Sequence, residues 1–289
     1  MKLNVLRSYL SPYLTALKNQ RQYFRLEYID AFAGAGYRRL PGSLSPDLFT
    51  PSSEEVAAFR DGSARIALSL DSGFDAYTFI EKSKRNVAQL EKLAASFRER
   101  DVRILQGEAN QRLQELASLD WRKRRAVVFV DPFGMQLEWP TLEALAQTKA
   151  VDVWILVPIG IALNRLLARR LSDIPPGWAR RLDRFFGTRD WRTGLYESTE
   201  VLKVRKGEIP MFPEERSRDQ EREKVVNFDD IARYYLARLR KVFPHVAQHY
   251  KSLRNSTGQP IYMLCFAAAN PNPKAGGLAL RIANHLLKS

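Results

Sequence analysis

Apolar residues recur along this chain in two alternating rhythms. Short apolar runs of strand length, at Leu26 to Phe32, Ala76 to Ile80, Val102 to Leu105, Ala126 to Val130 and Val151 to Val157, are separated by segments of helical spacing. Lys84 to Arg100 shows the helical period most plainly, with Val87, Leu90, Leu93, Ala94 and Phe97 as its apolar positions. Further helices are predicted over about Leu3 to Asn19, Ala64 to Leu70, Asn110 to Ser118 and Pro140 to Thr148. Ala126 to Val130 is apolar without a break, as in a strand covered on both faces of a parallel sheet. Regular alternation of strand and helix predicts a doubly wound α/β architecture with helices on both faces.

Two stretches interrupt the rhythm. Tyr37 to Gly62 is rich in Pro, Ser and Gly and reads as a long loop with a short helix around Glu54 to Arg60. After Leu163, Arg165, Arg169, Arg170, Arg180, Arg181, Arg184, Arg189 and Arg192 are interleaved with Trp178, Phe185, Phe186 and Trp191, and a mixed-charge segment, Lys203 to Lys224, reads as exposed. Regular structure then returns as a helix at Phe228 to Val242, an extended run at His245 to Ser252, a strand at Ile261 to Ala267 and a helix at Gly276 to Leu287. A turn at Asn255 to Gln259 makes the two late strands an antiparallel hairpin at one side of the sheet. The expected organisation is a single domain, 1–289, with a loop insertion over 37–63 and a basic, aromatic helical insertion over 164–227.

Composition changes this picture in three ways. The 289 residues carry 46 Lys and Arg against 32 Asp and Glu, a formal charge of +14, so a polyanion is the natural partner and nucleic acid is placed ahead of a merely solubilising basic surface. Cys265 is the only cysteine, which rules out an internal disulfide and, with no secretory pattern at Met1 to Arg7, points to a cytoplasmic protein. The most apolar run, Val151 to Leu163, is shorter than the ~20 residues of a membrane span and contains Pro158 and Gly160, so no membrane association is expected.

Four strand ends carry candidate chemistry. The first is Tyr28-Ile29-Asp30-Ala31-Phe32-Ala33-Gly34-Ala35-Gly36, a strand running into an acidic residue and a small-residue turn. Glycines there admit a ligand close to the backbone, and Asp30 can accept from a cationic amino group, although a tight structural turn would look the same. The second, Phe79-Ile80-Glu81, closes the next strand with a carboxylate placed to grip a ribose diol or simply to meet solvent. The third, Gly107-Glu108-Ala109-Asn110, offers Glu108 or Asn110 to an adenine edge, while Asn110 could equally cap the following helix. The fourth is Val130-Asp131-Pro132-Phe133-Gly134, where proline ends the ladder and turns Asp131 and the Pro132 carbonyl toward the cleft beyond the sheet.

Taken in order, these motifs resemble the Rossmann-like class I S-adenosylmethionine-dependent methyltransferases. More closely they resemble the three-Cys-motif partner protein (TcmP) family, together with Gly42-Ser43 and the closing Tyr262-Met263-Leu264-Cys265-Phe266-Ala267-Ala268-Ala269-Asn270-Pro271. The resemblance implies a mainly parallel seven-stranded sheet with an antiparallel last strand. It implies S-adenosylmethionine as cofactor, held by Asp30, Gly34, Gly36, Glu81 and Glu108, with Phe32 and Asn110 assigned to the same site. Amino-methyltransferases of adenine or cytosine usually carry Asp/Asn-Pro-Pro-Tyr/Phe; here Phe133 stands at the second proline and Gly134 at the aromatic position. Asp131, Pro132 and Phe133 are the expected catalytic set, acting on a nucleic acid, with a base amine as one acceptor. The alternative is a catalytically inactive binding protein of the same fold, working with a partner protein or a nucleic acid. The family name also implies a three-Cys-motif protein partner.

Arg165, Arg169, Arg170, Arg180, Arg181 and Arg184 are the expected nucleic-acid contacts, while Trp178, Phe185 and Phe186 have the spacing of aromatics buried under an amphipathic helix. His245 and His249 are four residues apart in an extended segment, too far for a shared metal, and no metal site is expected. Cys265 reads as a core thiol. Neither a P-loop nor a serine elbow occurs.

Overall fold

The computed structural model describes residues 2–34, 62–198 and 222–288. The expected short helix at 54–60 and most of the mixed-charge segment lie outside the described residues. Strands β1 (Arg25–Asp30), β2 (Ala76–Glu81), β3 (Val102–Gln106), β4 (Arg124–Val130) and β5 (Val151–Val157) pair in parallel in the spatial order β3-β2-β1-β4-β5. The last long strand, β10 (Pro260–Ala268), runs antiparallel beside β5. This is the doubly wound, Rossmann-like sheet with one reversed strand expected of the class I methyltransferase fold.

The sheet has eight strands rather than seven, because the extended run at His245 to Ser252 divides into β8 (His245–Val246) and β9 (Lys251–Arg254), both antiparallel to β10. Between them the Gln248 and His249 N–H groups leave the ladder and donate to Asn284 Oδ1, at 2.9 and 3.3 Å. A two-stranded antiparallel ribbon of β6 (Tyr196–Ser198) and β7 (Arg222–Lys224) stands apart from the main sheet.

Side-chain alternation along the strands divides the core in two. Ala126, Val128 and Val130 of β4 face one cluster together with Val151, Val153, Ile155 and Val157 of β5. Val127 and Phe129 face the other, with Trp154 and Leu156. The first face is covered by α4 (Ala109–Ala117), α5 (Trp139–Gln147), α6 (Pro176–Phe186) and α7 (Phe228–Leu239). The second is covered by α1 (Lys2–Ala16), α2 (62–68), α3 (Lys84–Ala95) and α8 (Pro273–Lys288). The α3 helix stops at Ala95, short of the expected Arg100, because Ser96 and Phe97 turn their N–H groups back to Leu93 and Ala94. Cys265 is fully buried in β10, and burial pushes its thiol far above the ordinary range. No helix among the described residues is long and apolar enough to cross a membrane.

Candidate functional site

In this strand order the chain steps one way from β1 to β2 and β3 and the other way to β4, so the connections part at the carboxyl ends of β1 and β4 and open a crevice there. Asp30 is the last residue of β1, and Asp131 directly follows β4. Asp30 registers against Phe79 of β2 and Phe129 of β4, and both of those rings belong to the second core face. Glu81 and Asp131 lie two residues further along their strands, so the period of two turns all three carboxylates to that same face. Neighbouring parallel strands thus each deliver one acid to one edge.

Asp30 is fully buried. Burial pushes its carboxyl up to about 7 and the negative field of Asp131 adds to the rise, against hydrogen bonds from the Ser63 hydroxyl, the Phe32 N–H and the Tyr28 hydroxyl. The last two are long, at 3.4 and 3.5 Å. Among the described residues the main influences on this carboxyl are burial, a second acid and neutral donors, and no basic side chain is one of them. Burial and the same two acids hold the Tyr28 hydroxyl well above its usual range.

Glu81 is buried, and its Oε1 accepts the Ser83 N–H at 2.7 Å. Its other oxygen faces the glycine turn: a Cβ built on Gly34 would lie 2.4 Å from Glu81 Oε2 and 2.6 Å from Asn86 Cβ. Glycine is therefore required at 34 by close approach, and the first two motifs form one structure. Asn86, in the first turn of α3, is buried with its amide nitrogen lacking a hydrogen-bond partner among the described residues.

The third motif sits at the rim. Glu108 is exposed and pairs with Lys82, while its backbone opens α4. Asn110 does not cap that helix. Its oxygen accepts from the Glu138 N–H at 3.0 Å and the Thr141 hydroxyl at 2.9 Å, and its nitrogen donates to the Gln136 carbonyl at 2.6 Å. It ties the start of α4 to the segment after the Asp-Pro turn. In that turn Asp131 and Pro132 are buried, Phe133 is half-buried, and Gly134 adopts a φ of +63°, a left-handed conformation that favours glycine. Phe32 is half-buried beside Asp30. Gly36 and Gly42-Ser43 lie outside the described residues.

All six arginines expected to meet phosphate are exposed. Arg169 approaches Glu223 and Arg184 approaches Glu138, each at 3.9 Å, whereas Arg180 and Arg181 have no ion pair among the described residues. Phe185, Phe186 and Trp191 are buried as expected. Trp178 is not. It is 43% exposed, because it stands in the first turn of α6, ahead of the part of the helix that packs on the core.

Sequence reasoning missed Ser63, Asn86 and the exposure of Trp178. Asn86 had a signal: it falls on the inward stripe with Leu90 and Leu93, where a polar residue has no packing reason to be. Ser63 had none, since its role depends on α2 folding back over β1.

No family model matches the chain, and no curated protein matches it. Among solved structures, the candidate methyltransferase yhhF of Escherichia coli is similar at 14% identity, over 52% of this chain and 68% of that one, with a TM-score of 0.27. LPL1258, a Legionella pneumophila protein of family DUF519, is 11% identical over 98% of this chain and 91% of that one, with a TM-score of 0.44. A candidate S-adenosylmethionine-dependent methyltransferase of Listeria monocytogenes is 8% identical over 85% and 92%, with a TM-score of 0.37. Those descriptions belong to those proteins.

Proposed function

We propose that this chain transfers the methyl group of S-adenosylmethionine to a nucleic acid, and that it groups with the TcmP family that its motifs resemble. The observation that carries the donor half is Asp30: a fully buried carboxyl raised to about 7, beside a second acid, with no basic side chain among the described residues to balance it. A cationic ligand supplies the missing charge, and S-adenosylmethionine carries both an ammonium and a sulfonium. The site fits such a ligand in two further respects. Gly34 lets the turn lie directly against Glu81 and Asn86, and Asn86 holds a buried donor, without a partner among the described residues, for a ligand hydroxyl or carboxylate.

In this reading Asp30 takes the ammonium, and Glu81 takes the ribose hydroxyls through the oxygen that Ser83 does not occupy. Phe32 and Glu108 border the ligand. Asn110 shapes the adenine side from the rim, its own amide being engaged by the protein. The bound cofactor supplies an already activated methyl group, so the protein's task is alignment. Asp131 and the Pro132 carbonyl accept hydrogen bonds from an acceptor amine and orient its lone pair, and Phe133 covers the acceptor from the turn at Gly134. Arg165, Arg169, Arg170, Arg180, Arg181 and Arg184, in a chain of formal charge +14, supply phosphate contacts. A three-Cys-motif protein is the partner that this family assignment implies.

Calorimetry with S-adenosylmethionine, followed by transfer of a tritiated methyl to total RNA and to DNA, tests both halves. Asp131→Ala should lower transfer by roughly 100-fold or more while leaving cofactor affinity within about twofold. Full transfer by that variant removes Asp131 from the mechanism. Cofactor binding without transfer to either polymer favours the inactive binding protein, and absence of binding defeats the donor assignment.

A further inference from the structure

The α6 helix carries an aromatic side chain that its amphipathic pattern does not account for. Leu182, Phe185 and Phe186 are buried against α5 and α7, but Trp178 presents 43% of its surface to solvent. Arg181 follows it by one turn, on the adjoining strip of the helix. Arg180 folds back toward the helix start, its guanidinium 4.0 Å from where a Cβ on Gly177, the residue before Trp178, would be. Neither Arg180 nor Arg181 has an acidic partner among the described residues, unlike their neighbours Arg169, Arg184, Arg189 and Arg192.

The other end of α6 is fixed to the site. Arg184 meets Glu138, the residue before α5, and the Glu138 N–H is held by Asn110 of the third motif. Arg238 of α7 donates to the Phe186 carbonyl at 3.1 Å while its guanidinium covers the Trp139 ring at 4.9 Å. From Arg184 to Trp178 the helix extends about 9 Å along its axis. An exposed indole with two guanidiniums that have no acidic partner among the described residues, on a helix whose far end meets the segment after the Asp-Pro turn, is suited to an unpaired base and its flanking phosphates. A duplex hides its base faces and could use only the charges.

We propose that Trp178, with Arg180 and Arg181, is a stacking platform for single-stranded nucleic acid leading to the site. The inference rests on the nucleic-acid half of the proposed function and adds the strandedness of the substrate and the residue that reads it.

Fluorescence provides the test, because Trp121, Trp139, Trp154 and Trp191 are all buried and Trp178 is the one tryptophan open to contact. The full chain is titrated with a single-stranded RNA of about 12 nucleotides and with the blunt duplex of the same sequence. Single strands should quench tryptophan emission, and Trp178→Phe should abolish the quench. Trp178→Ala should weaken single-strand binding, read by anisotropy of a labelled strand, about 5- to 100-fold while changing duplex binding less than about twofold. Arg180→Glu with Arg181→Glu should weaken both and flatten the salt dependence. If Trp178→Ala leaves single-strand affinity unchanged, or lowers duplex affinity equally, the platform is wrong and the nucleic-acid reading survives. If neither polymer binds the unaltered chain, both fall.

Discussion

The two edges of the central sheet treat their carboxylates in opposite ways. At the amino edge each acid is answered from within the protein. Glu27 is buried under a bidentate Arg124, with both contacts at 2.7 Å. Asp75 accepts from Arg21 at 2.8 Å and from the Leu26 N–H at 2.7 Å. Burial pushes Asp152 up to about 6, but the Tyr9 hydroxyl at 2.6 Å and the nearby Arg125 oppose the rise. At the carboxyl edge Asp30 is raised further, to about 7, with neutral donors opposing the rise among the described residues. Similar chemistry, a buried acid at a parallel strand, is thus met by arginine on one side and, among the described residues, by neutral donors on the other. In the proposed function that second side is where conformational stability gives way to binding.

Breaking the closed edge should have the largest effect on stability. Arg124→Met leaves the buried Glu27 carboxylate, among the described residues, with only the more exposed Arg25, at 3.7 Å, and should cost about 2–3 kcal/mol, read by urea unfolding, with cofactor affinity unchanged. A loss of affinity matching the loss of stability would erase the distinction between the edges.

Asp30→Asn should act in the reverse sense. In the unfolded chain Asp30 titrates near 3.8 and in the folded protein near 7, so both states are protonated below the lower value and no penalty exists there. As pH rises toward 7 the unfolded state ionises first, and the folded state is progressively penalised. Above 7 the penalty is constant. The variant should therefore match the parent protein near pH 4 and be more stable by on the order of 1–3 kcal/mol at pH 8, while binding S-adenosylmethionine at least about tenfold more weakly. In the parent protein cofactor affinity should increase with pH through about 7, with a proton released on binding, measurable as a buffer-dependent enthalpy. Parallel melting curves for the two proteins across that range would show Asp30 to be an ordinary surface acid.

Asn86→Leu should have the smallest effect. Removing an unsatisfied buried amide should change stability by less than about 1 kcal/mol, yet weaken the cofactor several-fold. Unchanged affinity would make Asn86 a packing residue.

Much of this was readable in the chain itself, for reasons particular residues make clear. The unbroken apolar run of β4 announced a strand covered on both sides, and Val127 and Val128 do face different clusters. The acids at 30, 81 and 131 were legible because each ends an apolar run, and a parallel sheet collects such ends at one edge. Glu108 and Asn110 were harder, since a residue after a strand can face the cleft, the rim or a neighbouring loop. Asn110 chose the loop because three partners on the Gln136 to Thr141 segment satisfy its amide. Trp178 was misjudged because helical periodicity gives direction around the axis but not the point at which the covering core ends. The division of β8 from β9 depended on Asn284, a residue distant in sequence, and no local pattern could announce it.

The guanidinium of Arg238 reaches two other helices at once, through the Trp139 ring and the Phe186 carbonyl. Tilting α6 would lift this side chain off the indole that begins α5, a few residues beyond the Asp-Pro turn. One side chain of α7 therefore clamps the end of the arginine-bearing helix to the start of α5, so the position of that helix is set by the same segment that follows the Asp-Pro turn.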